Sequence, residues 1–167
     1  MNIYDRVIQL EKESENYYLE LFDKCKSSAG ISHILSMLVN DARKIIVAYD
    51  NMKLVDSGKD VDISCETDTC MKEAKSIFEK FKNSKENFDC SIAQISLYQS
   101  ALESQKEIVT TLKAELGKAD TPERKGVINK MIREKGKHVL ILENIVEMLL
   151  NTEQWVEDAE FNHFDEF

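Results

Sequence analysis

The sequence predicts an all-α protein built around four long helices. Its 167 residues include only 5 Gly and 1 Pro, and 43% are hydrophobic and 32% charged, which is typical of a helical globular protein. Along four segments, apolar residues recur at alternating spacings of three and four, the pattern of a helix with one buried face. The length suits one domain with a substantial core, so we expect a single domain over residues 1–150.

The first two predicted helices form a hairpin. One runs from Ile3 to about Lys26, and the core-compatible residues of its stripe are Ile3, Val7, Leu10, Ser14, Tyr17 and Leu21. Gly30 and Ser32 predict the turn that follows. The second helix then runs to about Val55, where an Asp-Ser-Gly sequence ends it, and its stripe contains Ile34, Leu38, Asp41, Ile45, Ala48 and Met52.

The next segment, residues 57–88, predicts a long crossover. Its first part is polar and acidic, and its second part has the apolar spacing of a short amphipathic helix, with Met71, Ala74, Ile77, Phe78 and Phe81. A segment of this kind passes over a bundle, whereas a tight hairpin needs only a few residues.

Two further helices follow the crossover. The third runs from about Asp89 to Gly117, and its stripe contains Ile95, Tyr98, Leu102, Gln105, Val109, Leu112 and Leu116. Thr121, Pro122 and Glu123 are a helix start, with a capping hydroxyl, a proline at the first position and an acid in the first turn. The fourth helix runs to about Leu150, and its stripe contains Ile128, Ile132, Lys135, Val139, Leu142, Val146 and Leu149.

Residues 151–167 form a tail rich in aromatic and acidic side chains. Two helical hairpins joined by one long crossover predict a four-helix bundle.

Polar residues interrupt these stripes at positions that repeat along the chain. The repeat has an offset of 94 residues and pairs Glu11 with Gln105, Asp41 with Lys135, and Lys44 with His138. Any one of these residues could be an ordinary hydrogen-bonded core side chain. Four helices that contribute at corresponding positions predict a shared polar layer, and such layers are where helix bundles build metal sites.

Two segments carry a resemblance to a known family. Residues 10–18, with Tyr18 seven residues after Glu11, resemble the first ligand helix of the rubrerythrin-like branch of the ferritin-like superfamily, and Trp155 to Phe161 resembles the C-terminus of its members. The resemblance covers nearly the whole chain except the crossover and implies a ferritin-like four-helix bundle. In that family a Glu from the first and third helices and a Glu-x-x-His from the second and fourth hold two irons. No rubredoxin-type pair of Cys-x-x-Cys motifs is present in the sequence.

Carried over to this chain, the ligand set is incomplete. Glu11 and His138 keep the family's residue type, and Asp41 shortens the second Glu. The three remaining positions carry residues of another type: Lys44, Gln105 and Lys135. An ammonium has no lone pair to give a metal. We therefore expect no metal cofactor, with Lys44 and Lys135 in place of the two irons and paired with Glu11 and Asp41; iron is the alternative cofactor.

A second arrangement of the same region keeps a metal. Glu134 also lies in a three-four series with His138, so a rotation of the fourth helix would point both toward Glu11 and Asp41. Those four side chains would form a single site for Fe, Mn or Zn, with Lys135 extended into solvent as lysines ordinarily are.

The net charge, the hydropathy and the cysteine spacing limit the partners, the location and the metal sites that we expect. A net charge of −9 argues against nucleic acid or anionic membranes as partners. The sequence has no apolar run of about 18 residues, so we expect a cytoplasmic protein. The four cysteines, Cys25, Cys65, Cys70 and Cys90, have no zinc-site spacing and are interpreted as reduced thiols.

These observations lead to a functional hypothesis with alternatives. The first hypothesis is a rubrerythrin-like protein that has lost its di-iron centre and serves as a non-catalytic binding or structural protein, a homodimer. Aromatic side chains of the tail and crossover would form its partner surface. The alternatives are an iron-dependent oxidoreductase in peroxide or oxygen defence, which the resemblance implies, and a single-metal binder that uses the second arrangement.

Overall fold

All regular structure in the described part of the chain is α-helical, which confirms the all-α prediction. A computed structural model describes residues 3–26, 29–55, 68–83 and 94–150. Its helices in chain order are α1 (Ile3–Lys24), α2 (Ala29–Val55), α3 (Asp68–Asn83), α4 (Ile95–Leu116) and α5 (Pro122–Leu150). None of these helices is long and apolar enough to cross a membrane.

The long helices pack as two hairpins that contact each other. α1 packs along α2, α4 packs along α5, and α1 also packs along α4. The helices α2 and α5 pack less closely, and α3 contacts both of them. The predicted short helix of the crossover is therefore α3, whereas the rest of the crossover and the C-terminal tail lie outside the described residues.

Two apolar clusters make up the core and give the direction of each helix. The first cluster contains α3 residues and one end of every long helix, for example Leu21, Leu35, Tyr98 and Leu149. The second cluster contains the opposite ends, for example Val7, Tyr49, Leu112 and Ile128. It follows that α1 and α5 run in one direction and α2 and α4 in the other. Because α2 and α4 are parallel, the chain between them must travel the length of both helices, which explains a long crossover.

Helix starts follow local chemistry, with one correction. At α5 the Thr121 hydroxyl accepts a hydrogen bond from the Arg124 amide at 3.2 Å, so the predicted cap is present. Helix α2 begins at Ala29 and includes Gly30 and Ser32, which were predicted to form the turn. The Ser32 hydroxyl instead donates to the Cys25 carbonyl at 2.9 Å and satisfies an acceptor at the end of α1. The predicted start of the third long helix at Asp89 lies outside the described residues.

The predicted stripes are displaced by one residue at three places. The buried positions are Tyr18 instead of Tyr17, Ile108 instead of Val109 and Met131 instead of Ile132. In each case the predicted stripe residues before and after the displaced one are buried, for example Ser14 and Leu21 on either side of Tyr18. The steps of three and four therefore exchange their order within seven residues, and apolar spacing permits either order because both bring the chain back to the same face.

Candidate functional site

A layer of buried polar side chains separates the two apolar clusters. Each of the four long helices contributes to it, and its members are Glu11, Ser14, Asp41, Gln105, Lys135 and His138. Glu11 of α1 and Gln105 of α4, which the sequence repeat pairs with each other, are both fully buried and belong to neither apolar cluster. Ser14 joins the layer because it lies about one turn beyond Glu11 on the same face of α1.

The ammonium of Lys135 lies at the centre of the layer. Its Nζ is 2.7 Å from Glu11 Oε1, 2.8 Å from Gln105 Oε1 and 3.1 Å from His138 Nδ1. The ammonium thus has an ion-pair partner on α1 and two hydrogen-bond acceptors, one on α4 and one on its own helix α5. Lys135 is fully buried, and its predicted ion pair with Glu11 is present.

The contacts of His138 define its tautomer. Nδ1 accepts from Lys135, and Nε2 lies 3.2 Å from Asp41 Oδ2, so Nε2 carries the hydrogen and donates it to the carboxylate. Burial and, to a smaller extent, the charge of the Lys135 ammonium lower the pKa of His138 to about 4, although Asp41 acts in the opposite direction. The imidazole is therefore neutral at pH 7.

Gln105 is held at both ends of its amide. Its Oε1 accepts from Lys135, and its Nε2 donates to the Ser14 hydroxyl at 2.8 Å. The Ser14 hydroxyl in turn donates to the Leu10 carbonyl at 3.0 Å. One hydrogen-bonded chain thus runs from the backbone of α1 through α4 and α5 to Asp41 of α2.

Glu11 is the buried counter-ion of this arrangement. Burial raises the pKa of the Glu11 carboxyl, and the Lys135 ammonium and the Gln105 amide act in the opposite direction. The Glu11 carboxyl and the Lys135 ammonium therefore lie against each other without exposed surface, and each offsets a charge that would be costly to bury alone.

Lys44 does not belong to the layer, which corrects one prediction. Its side chain is exposed, whereas Asp41 and Ile45 on the same helix are buried. A step of three residues turns a helix by about 300°, so Lys44 lies about 60° from Asp41 and faces solvent at the edge of the buried face. Of these two lysines, Lys135 alone takes a central place. The layer therefore holds one ammonium and two carboxyl groups, whereas two ammoniums paired with two carboxyl groups were predicted.

The second arrangement proposed for a single metal is also not formed. Glu134 is buried, but its Oε1 accepts from Lys137 Nζ at 3.1 Å, and Lys135 is buried instead of solvated. Among the described residues, no group of three or more His, Cys, Asp and Glu side chains is arranged to hold a metal ion. Helix α5 is rotated so that Lys135 points into the layer between Glu11 and His138.

The pair of Lys137 and Glu134 is a buried charge pair that sequence reasoning missed. Both side chains are nearly inaccessible, and Lys137 also contributes to the lowered pKa of His138. A signal was available in α5, where Lys137, Ile141, Asn144 and Met148 follow each other at spacings of four, three and four. This second stripe indicates a helix buried on more than one side, and Ile141 and Met148 do belong to the apolar cluster that includes α3.

Of the four cysteines, Cys25 is the one whose side chain lies within the described part of the structure. Cys25 is buried, and the Tyr98 hydroxyl lies 3.9 Å from its Sγ. The side chains of Cys65, Cys70 and Cys90 lie outside the described residues.

The layer combines three kinds of chemistry in one dry site. It offers an amine, a carboxyl group in contact with that amine, and an imidazole oriented by a carboxylate.

Comparisons with known proteins found no matching family model, no matching curated protein and no matching solved structure.

Proposed function

We propose that this chain is a non-catalytic binding or structural protein of ferritin-like architecture, in which an internal ion pair stands where rubrerythrin-like proteins hold two irons. The observation that carries the proposal is the position of Lys135. Its ammonium contacts Glu11, Gln105 and His138 at 2.7, 2.8 and 3.1 Å, and all three stand at positions where the resemblance expects metal ligands.

The donor set does not suit a metal ion. A metal needs lone pairs directed at one point, and here the Glu11, Gln105 and His138 acceptors are directed at an ammonium. The other ring nitrogen of His138 carries a hydrogen toward Asp41, so it has no free lone pair. A divalent ion at this point would also stand against the positive charge of Lys135, which repels it.

The arrangement of the helices supports the ferritin-like part of the proposal. Helices α1 and α5 run one way, α2 and α4 the other, and the connection between the hairpins is long. This is the connectivity of a bundle with one long crossover, the ferritin-like class among four-helix bundles. The homodimer and the cytoplasmic location stay predictions from the sequence.

Metal content is the direct test. The protein is expressed and purified with ample iron, and iron, manganese and zinc are measured by elemental analysis against protein concentration. We expect no stoichiometric metal. Two irons per chain would overturn the proposal in favour of the oxidoreductase, and one metal per chain would overturn it in favour of a single-metal site.

A gain of metal binding would test whether the polar layer derives from a di-iron site. The double variant Gln105→Glu/Lys135→Glu removes the ammonium and gives the layer four carboxyl groups, as the family's ligand set has. We expect this variant to take up iron and to gain thermal stability in its presence, because a ligand that binds only the folded state stabilises it. The matched control is Lys44→His, which restores the family's residue at an exposed position and should add no iron. A folded double variant that binds no iron would contradict the derivation from a metal site.

A further inference from the structure

We infer that Lys135 and Gln105 are the two ends of an intramolecular isopeptide bond, which would join α5 to α4 through the buried layer. The juxtaposition that leads to this inference is an amine held 2.8 Å from the oxygen of a primary amide and 2.7 Å from a carboxyl group, in a site closed to water. An amine, a carboxamide and a proton-transferring carboxyl group are the reactants and the catalyst of a transamidation.

Lys135 has the surroundings of an activated nucleophile. A nucleophile is recognised by a base within hydrogen-bonding reach that a third group orients. Here His138 Nδ1 lies 3.1 Å from Lys135 Nζ, and Asp41 holds the opposite ring nitrogen at 3.2 Å. His138 and Asp41 act as positioning residues, because the Nδ1 lone pair holds the amine in the layer. Glu11 is the catalytic acid and base, since its carboxyl group contacts the reacting nitrogen directly.

Burial restricts the choice of electrophile. Lys135 and Gln105 have no exposed surface, so a substrate from solution cannot reach the amine. Among the described contacts of Lys135 Nζ, the carboxamide of Gln105 is the group with an acyl carbon and an amine leaving group. The Ser14 hydroxyl accepts from the Gln105 Nε2 and keeps the amide carbonyl turned toward Lys135. The permanent proximity supplies the orientation that raises the rate of intramolecular reactions.

The reaction balances without an oxidant or a second reagent. Glu11 takes one proton from the ammonium, and the neutral amine attacks Gln105 Cδ to form the Nζ–Cδ bond. Protonated Glu11 then gives its proton to Nε2, the Cδ–Nε2 bond breaks, and Nε2 is released as ammonia. Glu11 takes the second proton from Nζ as the new amide forms and passes it to the ammonia, which leaves as an ammonium ion. Of the three hydrogens of the Lys135 ammonium, one stays on the new amide and two leave with Nε2. Glu11 returns to its starting state, so one carboxyl group suffices.

The product would replace an ion pair by a covalent tie between two helices. A bond between residues 105 and 135 closes a loop that contains the α4–α5 turn, and such a cross-link reduces the entropy of the unfolded chain. The inference rests on the contacts of the layer and not on the proposed loss of metal. The isopeptide bond is tested by the mass of the protein, whereas the proposed function is tested by its metal content. One of the two proposals can therefore be overturned while the other stands.

Intact mass spectrometry of the unmodified sequence is the test, because it needs no variant to fold. The protein is purified, held at neutral pH and measured over time against the mass calculated from its sequence. We expect the mass to be lower by that of one ammonia. After digestion, fragmentation should find the peptide with Gln105 joined to the peptide with Lys135. A mass equal to that of the sequence, or an ammonia loss that maps to other residues, would overturn the inference.

Variants separate the chemistry from the fold. Glu11→Gln keeps the shape of the side chain but cannot carry the proton, so this variant should keep the full sequence mass. Lys135→Met and Gln105→Met remove one reactant each and should also keep the full mass. Lys44→Met removes an exposed lysine three residues from Asp41, and it should show the same ammonia loss as the parent. Loss of ammonia from Glu11→Gln at the parental rate would overturn the catalytic role of Glu11.

Discussion

At the scale of single residues, Lys135 illustrates how position decides the fate of a charged side chain. It is fully buried and contacts Glu11, Gln105 and His138, while Lys44 on another helix is exposed. A buried lysine is tolerated only where acceptors surround it. Both lysines stand at positions of the sequence repeat and were predicted to enter the layer, and the contacts separate them.

Removal of the Lys135 ammonium should be costly. Relative to parent protein of full sequence mass, in which the ion pair is intact, we expect Lys135→Met to lower the free energy of unfolding by about 3–5 kcal/mol, because Glu11 is left buried without its counter-ion. Urea denaturation followed by circular dichroism measures the change. The matched control Lys44→Met removes an exposed ammonium and should stay within about 0.5 kcal/mol of the parent. Equal effects of the two substitutions would contradict the central role of Lys135.

His138 should make stability depend on pH. Its pKa is lowered from 6.5 to about 4 in the folded protein, so between these values the unfolded chain binds a proton that the folded protein does not. The free energy of unfolding should therefore fall as the pH is lowered through this window, with a contribution of up to about 1.4 kcal/mol per pH unit. Glu11 acts with the opposite sign, because burial raises its pKa and the folded protein then holds a proton that the unfolded chain has released.

A difference measurement isolates the histidine. Urea midpoints of the parent and of His138→Gln are compared at several pH values between about 4 and 7. The variant should lose the part of the slope that belongs to His138 and keep the part from the carboxyl groups. Parallel curves across this window would show that His138 is not a buried neutral group.

At the scale of helices, the ends are set by local hydrogen bonds and the faces by packing. The start of α5 was predictable because Thr121 and Pro122 satisfy local requirements of a helix N-terminus. The start of α2 was not, because Ser32 bonds to Cys25, a partner outside its own helix. Likewise, the buried arc of α5 is wider than one stripe, since Lys137 and Ile141 are also buried.

The cap of α5 gives a local test. We expect Thr121→Ala to lower the free energy of unfolding by about 1 kcal/mol, because the Arg124 amide loses its acceptor. Thr110→Ala is the matched control, since Thr110 is exposed within α4 and its hydroxyl donates to the Lys106 carbonyl of the same helix. That substitution should change stability by no more than about 0.5 kcal/mol. A control as destabilising as Thr121→Ala would contradict the capping role.

At the scale of the whole molecule, α3 completes the core between α2 and α5. Its Phe78 and Ala74 are fully buried in the first apolar cluster, together with residues of both helices. On the outer side, His33 Nε2 lies 2.8 Å from Glu73 Oε2, and both groups are about half exposed. The apolar contacts, and not this pair, should therefore hold α3 in place.

Two substitutions at opposite sides of α3 compare these contributions. Phe78→Ala should cost about 3–5 kcal/mol, because it leaves a cavity in the core. His33→Ala should cost about 1 kcal/mol or less, as exposed ion pairs do. Urea denaturation measures both, and hydrogen exchange of the α3 amides shows whether α3 loosens before the long helices. A larger effect for His33→Ala would reverse this account of how α3 is attached.

The sequence by itself determined the helices and the level of the polar layer. Apolar spacing and turn residues are local properties, and the 94-residue repeat placed Glu11 and Gln105 at one height along the helices. The rubrerythrin-like and ferritin-like assignment, with its consequences for metal and partners, stays a prediction that rests on the same repeat.

Only the tertiary structure decided which lysine enters the layer and what it contacts. Lys44 and Lys135 both stand at positions of the repeat, but one is exposed and the other central, and the repeat does not include buried Lys137. The physical reason is that the rotation of a helix about its axis follows from packing on all of its sides. The apolar spacing within one helix defines this rotation only to within about one residue, which corresponds to about 100°. A rotation of that size is enough to move a lysine ammonium from the buried layer into solvent.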